Sequence, residues 1–381
     1  MTIPTAVPQT DPHASYDILR ADIDAAVRRV LESGWYILGQ EVEAFEGEFA
    51  AFAGVRYGVG VANGTDALAL ALRALEIGPG DAVVTVSHTA VATVAAIEMA
   101  GALPVLVDVD EAHGMDPDAV EALLDSTAAL PARVRAILPV HLYGQPVRME
   151  RLLEVARRHG LAVVEDCSQA HGATIDGQPV GSFGDLAAFS LYPTKNLGAF
   201  GDGGITVSND KGLIERVREL RQYGWRERYV SASVGVNSRL DELQAAILRV
   251  KLPHLASDNQ RRREIATAYD EGFAGLDLRC PVRRPGCSPV FHQYVIEVEQ
   301  RAAVRQGLAD RGVMTGVHYP VPVHRQPAYA GRLPLGPDGL PRTERFAGSI
   351  LSLPMHPYLT DEQVARVIEA VHAVTPGGGR P

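Results

Sequence analysis

Seven short runs rich in β-branched residues, separated mostly by segments of helical length, predict an α/β protein. Runs this apolar fit a mainly parallel, mixed seven-stranded sheet buried by helices on both faces. The length of 381 residues adds a second expectation, because a single core rarely grows that large. We expect a large domain over 1–250 and a smaller α/β domain over 251–381.

The elements follow in order. Over 17–33, Ile18, Ile23, Val27, Val30 and Leu31 recur at helical spacing and Gly34 stops the pattern, so a first helix is expected there. The seven strands are expected at 59–62, 82–86, 104–107, 136–140, 162–165, 186–190 and 205–208. A helix-rich stretch over 239–273, broken at Pro253, would lead into the small domain. Beyond it come an apolar run at 291–298, a helix at 301–310, a proline-rich stretch at 319–341 and a last helix at 361–374. The Gly/Pro-rich tail at 376–381 has the composition of a disordered end.

Composition excludes several classes. Hydrophobic content of 46% and charged content of 22% are ordinary for a globular enzyme. A formal charge of -10 argues against a general nucleic-acid binder, and Arg261-Arg262-Arg263 is too short a run to reverse that. Cys167, Cys280 and Cys287 lack paired ligand spacing, so neither a disulfide scaffold nor a metal site is expected. Residues 1–12 show no basic-then-apolar signal, and no run of eighteen apolar residues occurs. The expectation is a cytoplasmic protein that neither leaves the cell nor binds a membrane.

The chemistry centres on two stretches. Val163-Val164-Glu165-Asp166 is a buried-type strand ending in a carboxylate, and further on Ser190-Leu191-Tyr192-Pro193-Thr194-Lys195 ends another strand with a loop lysine. A bare carboxylate at the end of an apolar run is costly unless a cation meets it. A protonated pyridine nitrogen would be such a cation, Lys195 would supply a Schiff-base amine, and Ser190, five residues ahead, a phosphate hydroxyl. These are the protein parts that pyridoxal phosphate (PLP) needs. Taken singly, Lys195 reads as a surface lysine, while for Asp166 a capping or turn aspartate is the lesser alternative. Asn63-Gly64-Thr65-Asp66 follows a strand and opens a helix, where amides and the helix dipole favour an anion. Alone it reads first as an N-cap; with Lys195 and Ser190 it reads as a phosphate cup.

Five motifs now carry a resemblance. They are Gly-Thr-Asp-Ala-Leu at 64–68, Glu-Asp-Cys-Ser-Gln-Ala-His-Gly at 165–172, Ser-Leu-Tyr-Pro-Thr-Lys-Asn-Leu-Gly at 190–198, Gly-Asp-Gly-Gly at 201–204 and Asn-Ser-Arg-Leu-Asp-Glu-Leu-Gln-Ala-Ala at 237–246. In order and spacing, from about Ser33 to Tyr358, the chain resembles the DegT/DnrJ/EryC1/StrS sugar aminotransferases. The resemblance implies PLP as cofactor, an aspartate-aminotransferase-like fold of type I, and a homodimer with shared active sites. It also implies transfer of an amino group from an amino-acid donor, glutamate above all, to a nucleotide-linked keto-sugar. It gives Lys195 the internal aldimine and proton shuttle, Asp166 the pyridine nitrogen, Gln169 the ring's 3-oxygen side, and Thr65, Asp66 and Ser190 the phosphate. Asn237 would reach the phosphate of the neighbouring subunit. Arg239 would meet the donor carboxylate or the nucleotide's phosphates, or be a solvated loop arginine.

One departure stands out. The family usually places a ring-stacking aromatic where this chain has Ala90, and His88, two residues earlier, is the candidate replacement. At the substrate end, His318-Tyr319-Pro320-Val321-Pro322-Val323-His324, with His141-Leu142-Tyr143-Gly144, resembles the variant found in aminotransferases acting at C3 of dTDP-linked 3-keto-6-deoxyhexoses. His318, Tyr319 and His324 are therefore expected at the sugar, with C4 transfer as the alternative. Related dehydratases lack the lysine or add clustered cysteines, which Lys195 and the scattered cysteines oppose. A non-catalytic regulatory protein would have no use for Asp166, Gln169, Ser190 and Lys195 together. A plain amino-acid transaminase would want a C-terminal arginine for a second carboxylate, and the 318–324 loop does not fit that role.

Overall fold

The computed structural model describes residues 6–126 and 130–375; the expected tail at 376–381 lies outside them. The chain opens with α1 (Pro12–Ser33), where the Asp11 carboxylate accepts a hydrogen bond from Ala14 N at 3.1 Å, and Gly34 closes the helix at φ 65°. The helix begins earlier than the apolar spacing indicated because Asp11 caps it and Pro12 suits its first turn.

Then comes α2 (Gln40–Phe52), absent from the sequence expectations. Its Val42, Phe45 and Phe49 are buried on one face. No side chain of its own caps it. Instead the Glu242 carboxylate accepts from Gly39 N at 2.8 Å, Glu41 N at 3.0 Å and Val42 N at 2.9 Å. An anion at a helix N-terminus satisfies orphan donors, and a hydrogen bond to a charged group contributes about 1.5–3 kcal/mol. The capping carboxylate lies some two hundred residues away in the chain, which is why local reading missed it.

The main sheet comprises β1 (Tyr57–Val61), β2 (Asp81–Val86), β3 (Leu103–Val107), β4 (Arg133–Ile137), β5 (Ala162–Asp166), β6 (Leu186–Ser190) and β7 (Gly204–Ser208). Their spatial order is β1-β7-β6-β5-β4-β2-β3. Every neighbouring pair is parallel except the two that β7 makes, with β1 and β6, which are antiparallel. The sheet is thus mixed and mainly parallel. Six strands run the same way and end at one edge, where ligands of open α/β sheets bind. Helices α3 (Gly64–Ala74), α4 (Val91–Met99), α5 (Pro117–Asp125) and α6 (Met149–His159) connect successive strands from β1 to β5, and α7 (Lys211–Leu220) follows β7.

Next, α8 (Glu242–Lys251) and α9 (Leu255–Gly272) flank a 3-10 turn at Leu252–His254, so the helix breaks at Pro253 as expected. The smaller unit pairs β8 (Tyr294–Glu297) with β9 (Ile350–Leu353) and adds α10 (Arg301–Ala309), α11 (Pro341–Ser349) and α12 (Asp361–Val374). Its apolar cluster includes Tyr269, Phe273, Tyr294, Leu351 and Val367, and also Val7. The N-terminal strand fragment therefore packs with the small unit: Val7 N donates to Gly312 O at 2.8 Å, and Met355 N to Gln9 O at 3.2 Å. Among the described residues no helix is long and apolar enough to cross a membrane.

Candidate active site

The shared edge of the parallel strands gathers the residues singled out from sequence. Asp166 is the last residue of β5 and Ser190 the last of β6. Asn63-Gly64-Thr65-Asp66 follows β1, and 87–90 follows β2.

At the end of β1, Asn63 caps α3 by accepting from Asp66 N at 2.8 Å. The first amides of the helix are left for an anion. A Cβ on Gly64 would lie 2.8 Å from Ser190 Cβ, and one on Gly204 would lie 2.3 Å from Asn63 O. Both glycines thus allow three backbone segments to meet around a cup with Thr65 and Ser190 at its rim. The Asp66 carboxylate turns to Ser238, whose Oγ donates to it at 2.6 Å and accepts from Ala62 N at 3.0 Å. A carboxylate has no proton to give a phosphate, so Asp66 serves the cup by fixing Ser238. The neighbouring Asn237 is exposed and Arg239 half-buried.

Asp166 is only 4% exposed. Thr93 Oγ1 donates to its Oδ2 at 2.8 Å and Ser168 N to its Oδ1 at 3.1 Å. Lys195 sits on a loop with little freedom. Its N–H donates to Tyr192 O at 2.8 Å, and the next residue, Asn196, donates through Nδ2 to Asn259 Oδ1 at 2.8 Å and Val290 O at 3.0 Å. Lys251 Nζ donates to Gly198 O from behind, and a Cβ on Gly198 would lie 2.5 Å from Pro193 O. Burial lowers the Lys195 ammonium from 10.5 to about 8, while the Asp166 charge works the other way. The amine is therefore partly neutral near physiological pH, which a nucleophilic lysine requires.

The histidines around Lys195 do not change charge near pH 8, whereas Lys251, whose Nζ donates to Gly198 O, is also lowered by burial to about 8. Burial, with the Lys195 charge nearby, pushes His171 down to about 3, His292 well below its usual range, and His318 downward. Uptake of PLP by apoprotein should consequently rise with pH through a midpoint near 8, because deprotonation of Lys195 exposes its lone pair. A stopped-flow absorbance series from pH 6.5 to 9.5 checks this; a midpoint above 10 would show a solvent-like lysine.

Gln169, 6% exposed, is held from both ends. Its Oε1 accepts from Tyr143 N at 2.6 Å, and its Nε2 donates to the Tyr319 hydroxyl at 3.2 Å. Tyr143 carries φ 61°. Its hydroxyl donates to His318 O, so the 3.0 Å contact with His88 Nε2 has the histidine as donor. Burial takes His88 down to about 4, and its ring lies among His113, Tyr143 and Phe346. His88 thus orients Tyr143. Ala90 is half-buried at the start of α4.

His318 and Tyr319 face the same region, with His318 Nδ1 2.8 Å from Ser352 Oγ. His324 is spent elsewhere: its Nδ1 lies 2.7 Å from Ser87 Oγ, its N–H donates to the same Oγ at 3.0 Å, and its Nε2 lies 3.2 Å from Glu344. It tethers the 318–326 segment to the end of β2. Sequence reasoning missed Thr93 and Ser238 as partners of Asp166 and Asp66. Thr93 lies three residues past Ala90, but nothing local indicates that its hydroxyl reaches β5.

His141, Glu165 and Cys167 also converge, with ligand-type atoms within 4.8 Å. Glu165 is already satisfied, accepting from Gly181 N, Phe183 N, Gly184 N and, at 3.1 Å, His141 Nε2. Burial pushes the Cys167 thiol well up, so the cluster locks the chain between β5 and β6.

The residues present fit PLP on three counts: a glycine cradle at a helix N-terminus, a buried carboxylate with donors on both oxygens, and a fixed lysine with a depressed pKa. Comparison with known proteins agrees. A family model described as the DegT/DnrJ/EryC1/StrS aminotransferase family matches residues 17–372. The chain is 51% identical over 368 residues to dTDP-3-amino-3,4,6-trideoxy-alpha-D-glucose transaminase of Streptomyces venezuelae, covering 96% of this chain and 95% of that protein. It is 45% identical over 378 residues to a UDP-N-acetyl-3-dehydro-alpha-D-glucosamine 3-aminotransferase of Acidithiobacillus ferrooxidans, covering 99% and 100%. In structure it is similar to S. venezuelae DesV in complex with a ketimine intermediate, at a TM-score of 0.92 and 51% identity, covering 97% and 98% of the two chains.

Proposed function

This chain belongs to the DegT/DnrJ/EryC1/StrS aminotransferase family, and from that premise we propose that it transfers an amino group from glutamate to C3 of a dTDP-linked 3-keto-6-deoxyhexose. It is a PLP-dependent transaminase of fold type I. Bound PLP supplies an electron sink for the charge left when an amino acid loses its Cα proton.

The chain's own residues do the rest. The α3 amides, Thr65 Oγ1 and Ser190 Oγ hold the phosphate, with Asp66 fixing Ser238 beside them. Lys195 Nζ anchors the cofactor and then carries the Cα proton, for which a pKa near 8 is well matched. Asp166, 4% exposed and with a donor on each oxygen, would keep the pyridine nitrogen protonated. Gln169, fixed by Tyr143 and Tyr319, presents its remaining Nε2 hydrogen to the ring's 3-oxygen side. His318 and Tyr319 border the sugar, and Arg239 meets the donor carboxylate or the nucleotide phosphates. His88 and His324 act one contact away, on Tyr143 and Ser87. We assign the molecule as a cytoplasmic homodimer in which exposed Asn237 completes the partner's phosphate cup, as its exposure in a single chain allows.

The observation that carries this reading is the approach of β1, β5 and β6 ends that sets cup, carboxylate and lysine around one space. The C3 assignment draws on relatives whose names specify 3-amino sugars. Holoenzyme incubated with 15N-glutamate and a panel of dTDP- and UDP-linked 3-keto and 4-keto sugars should yield product with nitrogen at C3 by NMR. Nitrogen at C4 would transfer the reading to the alternative regiochemistry.

A further inference from the structure

The buried hydroxyl pair Thr89–Thr93 lies outside the five motifs quoted from the sequence. Thr93, fully buried, donates through Oγ1 to Asp166 Oδ2 at 2.8 Å, and Thr89, 2% exposed, has its Oγ1 2.9 Å from Thr93 Oγ1. The direction of this chain is determined. A carboxylate only accepts, so the Thr93 proton goes to Asp166, and Thr89 must donate to Thr93. The carboxylate's other oxygen takes the Ser168 N–H.

We infer that Thr93 is a positioning residue for Asp166, with Thr89 behind it, and that together they hold the carboxylate aimed at the ring nitrogen. Two fixed donors, one on each oxygen, restrain rotation about the carboxylate and disfavour its taking a proton back from the ring. The same 87–93 segment, a turn that runs into α4 at Val91, carries Ser87, which is tied to His324 on the sugar-side segment. It therefore joins the carboxylate that sets the electron sink to the segment that borders the sugar.

This rests on the reading of Asp166 given above, and the test separates the two. Thr93→Val keeps the β-branched shape and removes the donor, whereas Thr93→Ser keeps the donor. Dialysed holoenzyme of Thr93→Val should retain PLP, since the phosphate cup is untouched. Its single-turnover conversion with glutamate should slow by about 10- to 100-fold, the loss expected for a hydrogen bond to a buried charge. The pH midpoint of the visible absorbance of the Lys195-bound cofactor should move upward, because a less restrained Asp166 either shares the ring proton or presents more charge to Lys195. Thr93→Ser should restore both readouts to within about threefold of the parent, and Thr89→Val should fall between. Should Thr93→Val fail to fold, Thr93→Ser against Thr93→Cys, a weak donor of similar size, makes the same comparison. A parent-like rate and midpoint in Thr93→Val, or equal losses in the valine and serine variants, would overturn the proposal. If Asp166→Asn itself leaves the conversion intact, it is the underlying reading of Asp166 that fails.

Discussion

Lys195→Ala should lower transamination by about a thousandfold or more, the combined loss of a covalent anchor and a positioned proton carrier. The variant should remain folded. Burial already disfavours the Lys195 ammonium, and its loop is held by backbone contacts and by Asn196, Lys251 and Gly198 rather than by the amine. Equal melting temperatures with activity near zero would separate chemistry from stability. Residual turnover within tenfold of the parent would remove Lys195 from the centre of the account.

Asp166→Asn should keep PLP but slow the half-reaction with glutamate by about 100-fold, since a neutral amide cannot hold the ring nitrogen charged. A second effect follows from the same carboxylate. Asp166 is the charge that opposes the burial of Lys195, so removing it should drop the midpoint for PLP uptake below 8. Rapid-scan spectroscopy reads the first effect and the pH series the second. A normal half-reaction rate with an unshifted midpoint would leave Asp166 a structural aspartate.

Much of this was legible along the chain because the chemistry sits where strands end. Asp166 and Ser190 close runs of apolar residues, and in a parallel sheet such ends share an edge, so strand pattern alone brought them together. The split of 239–273 followed from Pro253. What escaped depends on distant partners. The helix α2 has a readable apolar face at Val42, Phe45 and Phe49, yet its cap is Glu242, from a helix far along the chain. Asp66 reads as a phosphate ligand from its place in the cup and turns out to hold Ser238. His324 reads as a sugar contact from its loop and is instead tied to Ser87 and Glu344. In each case the residue type and its neighbourhood were visible, and the hydrogen-bond partner was set by tertiary packing.

The central claim is that Lys195 is the residue to which the cofactor is joined. Borohydride reduction of the holoenzyme, followed by proteolysis and mass spectrometry, tests it in one step. The account predicts a pyridoxyl-modified peptide spanning Ser190 to Gly198 with the modification on Lys195 alone. Modification of Lys251, the half-buried lysine whose Nζ donates to Gly198 O, or of Lys211, would contradict it.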